Sequence, residues 1–191
     1  MNAITLNLVE EAARGWEAMD DQVHLWRGRC IDCFTEAERS ISQTLIFLRE
    51  HFGHEFVVKQ GHLFGQKLTD LGEAFAQPKI QEIKTAKKAA QALERFVQYA
   101  ELRKDLCHGD MTVYANRQGL WLAQFKVICL GSQTVKTHQM VIDHDSADET
   151  LKLLRKTVQS LCKCLANFME TPPESTVSPS SPSAPAAPAS R

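Results

Sequence analysis

The residues best suited to acid–base and phosphate chemistry lie together in one short segment, at positions 103 to 109. Arg103 carries a permanent positive charge and several N–H donors, so it can hold a phosphate in a forked contact. His108 can take up or release a proton near neutral pH, because the unperturbed pKa of histidine is about 6.5. Together the two side chains suit a reaction at a phosphate that involves proton transfer and needs no metal ion.

Four further polar residues are candidates to assist this pair. Asp105 is the candidate third catalytic residue, and Lys104 can add a second positive charge for a substrate phosphate. Upstream, Lys84 and Lys88 are candidates to bind the backbone phosphates of a substrate, since phosphate contacts supply much of the affinity for nucleic acid. The same lysines also suit an ordinary solvated helix face, and both interpretations stay open.

The spacing of Arg103 and His108 restricts how they can meet. Five residues along an α-helix turn the chain by about 140°, so the two side chains do not stand side by side on a regular helix. They can converge if the last turn unwinds at Gly109, or if Arg103 of one subunit meets His108 of another across a two-fold axis. A purely structural explanation also exists, because cationic side chains are favourable near the C-terminal end of a helix.

Helical patterns dominate the sequence on the N-terminal side of this segment. Apolar residues recur in steps of three and four from residue 4 to residue 26 and again from 31 to 52, and Gly28 leaves open whether this is one helix or two. A shorter helix is predicted over 63–75. A long helix is predicted over 79–108, with Pro78 at its start and Gly109 ending it in a left-handed conformation.

The pattern changes after Gly109 and then returns to helix. Residues rich in Val, Tyr, Trp, Phe and Ile predict strands over 111–115, 120–130 and 135–142, joined by short turns. Ser146 and Glu149 have the spacing of a capping box, which predicts that the last helix starts there. Its apolar stripe runs from Leu151 to Phe168.

The elements together predict a mainly α fold, a helical bundle with a small three-stranded antiparallel β-meander inserted before the last helix. The predicted helical domain spans residues 1–170, with the β insert at about 110–143. Residues 171–191 are mostly Pro, Ser and Ala, which cannot bury enough apolar surface to offset the entropy of ordering. We therefore expect a disordered tail there.

Composition excludes several classes of protein. The chain has 22 Lys plus Arg and 23 Asp plus Glu, so it lacks the global positive charge of a general nucleic-acid binder. Its start is too acidic for a secretory signal, and no apolar run approaches the ~20 residues that span a bilayer. The six cysteines fall within helical and strand patterns and indicate reduced thiols in a cytoplasmic protein.

One cysteine grouping has the composition of a metal site. The pairs Cys30 and Cys33, and Cys162 and Cys164, together offer four thiolates, a set that zinc can bind. Both pairs fall within predicted helices, without the turn residues that shape a zinc knuckle. We therefore interpret them as buried structural cysteines and expect neither a metal nor another cofactor.

A helical bundle with an Arg-x4-His motif late in a long helix resembles the HEPN superfamily. The residues that carry the resemblance are Arg103, Lys104, Asp105, His108 and Gly109, which are similar to the Arg-Asn-x-x-x-His-Gly form of several branches. Lys104 departs from that form, in which a small polar residue often follows the arginine, and Asp105 is the candidate to take over its role.

The resemblance implies a function. Many HEPN-like proteins are metal-independent endoribonucleases that act as homodimers in defence or toxin–antitoxin systems, and others have no known catalysis. We therefore expect RNA as substrate, a second copy of the chain as partner, and an antitoxin protein as a further partner. The alternative is a non-catalytic helical module that binds a protein or a nucleotide.

Overall fold

A computed structural model describes residues 3–53, 63–116, 119–130 and 135–170 of the chain. Within these ranges lie six helices and three strands: α1 (Ala3–Phe52), α2 (Phe64–Phe75), α3 (Pro78–Gln81), α4 (Lys84–Val97), α5 (Ala100–His108), β1 (Asp110–Ala115), β2 (Trp121–Leu130), β3 (Val135–Asp143) and α6 (His144–Met169). This confirms the predicted mainly α fold with a three-stranded antiparallel sheet before the last helix. The predicted tail at 171–191 lies outside the described residues.

The N-terminal part of the bundle is one helix, α1, which continues through Gly28 without a break. Gly28 is exposed, and a Cβ added there would meet nothing within 4 Å, so neither packing nor backbone conformation requires a glycine. The buried side chains of α1 follow the helical period from Val23 to Leu48. Neither α1 nor any other helix in the described ranges is long and apolar enough to cross a membrane.

Aromatic side chains fill the core between the helices. At the C-terminal end of α6, the buried Phe168 ring packs edge-on against Phe75 of α2, with 5.4 Å between ring centroids, and against Phe47 of α1 at 5.7 Å. Near the middle of α1, Phe34 packs against Phe96 of α4. Tilted and edge-to-face geometries of this kind contribute beyond the area that they bury. The rings therefore hold α1, α2, α4 and α6 together.

The single long helix predicted over 79–108 is wrong, because the chain forms α3, α4 and α5 there. The first break comes at Ile83, whose backbone is extended, with φ −78° and ψ 118°. The second comes at Tyr99, with φ −91° and ψ 4°. The residues are good helix formers, but packing outweighs propensity. The breaks let α4 pack against α6 while α5 turns towards α1 and the sheet.

The sheet has the order β1-β2-β3, and one of its faces packs on the helices. Buried side chains alternate along β2, as the strand period requires, and Ala123 pairs with Val113 of β1 and Ile142 of β3. Trp26 of α1 packs against Trp121 of β2 at 6.1 Å between ring centroids. The Trp26 indole N–H also donates to a backbone carbonyl of α6 at 2.8 Å. The sheet is thus attached to both long helices.

Gly109 connects α5 to β1, but the prediction of a left-handed cap there is wrong. Its φ is −74° and its ψ is 132°, which is ordinary extended backbone. The position instead requires a residue without a side chain, because a Cβ would overlap the carbonyl oxygen of Asp105 and lie 3.0 Å from the Cβ of Phe125. Close approach of helix end and strand therefore explains the glycine.

The predicted start of α6 at a capping box of Ser146 and Glu149 is also wrong. The helix begins three residues earlier, and Asp143 is its N-cap. The Asp143 carboxylate accepts a hydrogen bond from the backbone N–H of Ser146 at 2.9 Å, and the Ser146 hydroxyl donates to its other oxygen at 3.0 Å. These hydrogen bonds hold the pKa of Asp143 below its ordinary value.

Candidate functional site

Helix α5 stays regular through its last turn. The backbone N–H of Gly109 donates to the carbonyl of Asp105 at 2.8 Å, which is the i to i+4 spacing of an α-helix. From α1, the Nε of Arg27 donates to the carbonyl of Leu106 at 2.7 Å and satisfies one of the free acceptors at the helix end. The hypothesis that an unwound last turn brings Arg103 and His108 together is therefore wrong. Within one chain they point about 140° apart.

Arg103 faces α1 and α2. One guanidinium nitrogen lies 3.4 Å from a carboxylate oxygen of Glu38, and the guanidinium carbon lies 4.1 Å from the centre of the Phe64 ring, a cation–π arrangement. The other carboxylate oxygen of Glu38 accepts from the Lys67 ammonium group at 2.8 Å. We call Glu38, Lys67 and Arg103 the cation cluster. Two positive charges share one carboxylate there, and all three side chains keep about a quarter of their surface exposed.

Asp105 points the other way, towards the sheet. The residue is 2% exposed, and its Oδ2 lies 3.1 Å from Nε2 of His138 on β3. The His138 side chain is 46% exposed. No hydrogen bond reaches Oδ1 of Asp105 from the part of the chain that the structure describes. The structure thus pairs Asp105 with a residue that sequence reasoning missed. The alternation of β3 already places His138 on the same face as the buried Ile142, which is the signal that could have found it.

His108 is the last residue of α5, and its side chain is exposed. Steps of four and three residues place Glu101, Asp105 and His108 in one stripe along α5, within about 60° of one another. His108 therefore shares the sheet-facing side of α5 with Asp105 and lies away from the cation cluster. The structure separates the predicted pair of Arg103 and His108, and among the described residues no hydrogen bond or ion pair joins Asp105 to His108.

Lys104 forms an ion pair along its own helix. Its ammonium group lies 2.6 Å from a carboxylate oxygen of Glu101. This hydrogen bond raises the pKa of Lys104 and lowers the pKa of Glu101. Lys104 therefore stays positively charged at neutral pH, but its charge is balanced by a neighbour.

Lys84 and Lys88 are exposed on α4. The expectation that they share one helix with the motif is wrong, because α4 ends at Val97 and α5 begins at Ala100. Their role in guiding RNA stays a prediction.

The cysteines are free thiols, and the first pair is buried. Burial raises the pKa of Cys30 to about 12 and also raises that of Cys33. Cys162 and Cys164 on α6 are half-buried. Among the described residues, no three or more His, Cys, Asp or Glu side chains form a group that could hold a metal ion.

Comparison of the chain with protein-family models, with curated proteins and with solved structures gives no match in any of the three. The resemblance to the HEPN superfamily therefore rests on the motif residues and the helical architecture alone.

Proposed function

We propose that this protein is a HEPN-like, metal-independent endoribonuclease of a defence or toxin–antitoxin type. The observation that carries the proposal is the excess positive charge of the cation cluster. Glu38 supplies one negative charge against the two cations of Arg103 and Lys67. Within the described ranges, Arg103 uses one guanidinium nitrogen in a hydrogen bond, at a long 3.4 Å, which leaves donors for a phosphate oxygen.

His108 supplies the proton transfer in this proposal. It is exposed at the end of α5, where an RNA strand can reach it. As the 2′-oxygen attacks the adjacent phosphorus, an imidazole can take its proton or return one to the departing 5′-oxygen. Arg103 and Lys67 would offset the charge that develops on the phosphate. No metal or cofactor enters the reaction.

A second copy of the chain completes the proposed site. Because Arg103 and His108 lie on different sides of α5, both can contact one phosphate only if they come from two subunits. We propose a homodimer in which Arg103 of one protomer acts with His108 of its partner. A cytoplasmic ribonuclease of this kind also needs a partner protein that restrains it, which is the role of an antitoxin.

The proposal is tested with purified protein and a single-stranded RNA in EDTA. We expect cleavage by the wild type and a rate loss of about 10²- to 10⁴-fold in His108→Ala, the range for removal of a general acid or base. Arg103→Ala should also lose activity. His24→Ala is the matched control, because His24 is exposed on α1 and interacts only within that helix in the described structure. Cleavage that survives both His108→Ala and Arg103→Ala contradicts the proposed site.

A mixing experiment tests the shared site. Equal amounts of the His108→Ala and Arg103→Ala proteins, unfolded and refolded together, should regain about a quarter of the wild-type activity, because half of the dimers then hold one intact site of two. No recovery, in a mixture shown to form mixed dimers, contradicts a site built from two subunits.

The second candidate is a non-catalytic module that binds a protein or nucleotide partner. The contact of Arg103 with the Phe64 ring and Glu38 favours it, because an arginine held this way can serve packing alone. This candidate predicts no cleavage by any form of the protein, together with measurable binding of RNA or a nucleotide.

A further inference from the structure

The burial of Asp105 calls for an explanation. Removing an ionised carboxylate from water is costly, and the cost is offset only when hydrogen bonds satisfy the group. Among the described residues, Asp105 has one hydrogen-bonding partner from another element, His138, and its Oδ1 has none. An apolar residue at this position would fill the space between α5 and the sheet without that cost. A role in a functional site is one explanation for a buried carboxylate with an unsatisfied oxygen.

The geometry at His138 suits proton transfer. Its Nε2 faces the buried Asp105 carboxylate, so an ionised Asp105 accepts a hydrogen bond from Nε2–H and fixes the tautomer and orientation of the ring. The basic nitrogen is then Nδ1. Because the side chain is 46% exposed, this ring can meet a ligand from the solvent side. A carboxylate that orients one imidazole nitrogen also stabilises the imidazolium that forms when the other nitrogen takes up a proton.

We propose that His138 is a second catalytic histidine and that Asp105 is its positioning residue, which makes the end of α5 and β3 a two-histidine site for RNA cleavage. This inference rests on the proposed ribonuclease function. His108 belongs to the same site because it follows Asp105 by three residues, about 4.5 Å further along the helix axis and on the same side of it. Both histidines come from one protomer, and Arg103 of the partner holds the phosphate.

The two imidazoles have different tasks. His138 Nδ1 takes the proton of the 2′-hydroxyl as the 2′-oxygen forms a bond to phosphorus. The bond from phosphorus to the 5′-oxygen breaks, and the His108 imidazolium gives its proton to that oxygen. The products are a 2′,3′-cyclic phosphate and a 5′-hydroxyl, with no oxidant, reductant or metal ion. The Asp105 carboxylate can stabilise the imidazolium that forms when His138 takes up a proton, so His138 is assigned the role of base. The negative end of the α5 macrodipole favours a positive charge on His108, so His108 is assigned the role of acid.

Other charged groups also face His138. From α5, Glu101 lies close enough that His138 contributes to lowering the Glu101 pKa. On the strands, Lys136 lies two residues before His138 on the same face of β3, and the register partner of Lys136 on β2 is Cys129, whereas that of His138 is Val127. Asp105 is nevertheless the group in hydrogen-bond contact with the imidazole, so Asp105 is the residue that can fix the orientation of the ring.

The test uses the folded protein in the oligomeric state that it adopts in solution and a single-stranded RNA in EDTA under single-turnover conditions. His138→Ala should lose about 10²- to 10⁴-fold in rate and should recover part of it on addition of free imidazole. His24→Ala is the control, and thermal melts show whether each variant folds. Recovery with imidazole keeps the test valid for a destabilised variant, because a folding defect does not respond to an added base.

The Asp105→Asn substitution tests whether Asp105 positions the His138 ring or only fills space between α5 and the sheet. It keeps the volume and removes the charge, and an amide can either accept from Nε2–H or donate to Nε2, so the His138 ring should no longer be held in one tautomer. Nitrogen NMR of the histidine rings should show both tautomers of His138 in Asp105→Asn, together with a loss of cleavage rate, and Asp105→Glu should restore part of both effects. A rate loss with the His138 tautomer unchanged overturns the positioning role.

The possible results separate this inference from the proposed function. Wild-type protein that does not cleave RNA overturns both. If wild type cleaves RNA and His138→Ala cleaves equally fast, the proposed roles of His138 and Asp105 are overturned and the proposed ribonuclease function is not. Loss in His138→Ala together with full activity in both His108→Ala and Arg103→Ala overturns the two-histidine site as well as the site built on the motif.

Discussion

Gly109 offers a sharp test of how α5 meets the sheet. In Gly109→Ala the new methyl group overlaps the carbonyl oxygen of Asp105 and lies 3.0 Å from the Cβ of Phe125. Neither neighbour can move freely. The Asp105 carbonyl already accepts the Gly109 N–H at 2.8 Å, and Phe125 is fully buried. Relief of the overlap must therefore separate the helix end from β2 and weaken that hydrogen bond.

The size of the effect follows from these two changes. Overpacking in a close-packed interior costs about 1–3 kcal/mol, and a lost hydrogen bond adds about 1 kcal/mol, so we expect a loss of about 2–4 kcal/mol. For a chain of this length each kcal/mol lowers Tm by about 2–4 °C, which predicts a fall of roughly 5–15 °C.

Thermal melts and urea denaturation measure the change, and Gly28→Ala is the matched control. The chemical change is identical, but Gly28 is exposed inside a helix and a Cβ there meets nothing within 4 Å. Alanine should therefore stabilise α1 by about 0.5–1 kcal/mol. The reasoning is refuted if Gly109→Ala melts at or above the wild-type temperature, or if the two substitutions change stability in the same direction.

Three further outcomes test other contacts. Arg27→Met leaves a carbonyl of the last turn of α5 without its donor and should cost about 1–3 kcal/mol, whereas Arg29→Met, exposed on the same helix, should melt close to wild type. The Cys30 thiol, whose pKa burial raises to about 12, should resist iodoacetamide at pH 8 in folded protein and react after denaturation, and rapid labelling of the native state contradicts its burial. Asp143→Ala should lower Tm at pH 7 through loss of the cap at Ser146. The folded-state pKa of Asp143 is lowered, so the stability that its carboxylate contributes is present above the ordinary aspartate pKa and is lost as the pH falls through the lowered folded-state pKa. The Tm values of wild type and Asp143→Ala should therefore converge in acid. A Tm difference that persists in acid contradicts the cap.

Much of the fold could be predicted because its signals are local. Alternation of apolar residues along β2 and the helical period of α6 are properties of neighbouring positions, and both elements were found. The breaks at Ile83 and Tyr99 were missed because residues 79–108 favour helix throughout, and only packing against other elements interrupts them. The role of Gly109 was missed for a similar reason, since the atoms that exclude a side chain include Phe125, which lies on another element.

The candidate site was predictable only in part. The motif around Arg103 and His108 is contiguous, so the sequence displays it. The partners that give it geometry are distant, with Glu38 65 residues before Arg103 and His138 33 residues after Asp105. Their contacts depend on helix packing and strand register, which residue spacing does not reveal.

The junction between β3 and α6 has a consequence for how this protein can vary. Asp143 is both the last residue of the strand and the N-cap of the helix, so no spacer residue separates them. One residue inserted there would rotate the whole apolar stripe of α6 by about 100° relative to the sheet, and one inserted within β3 would turn the following side chains to the opposite face. Homologous chains that preserve this fold should therefore tolerate insertions and deletions between β1 and β2 or between β2 and β3 better than at the β3–α6 junction.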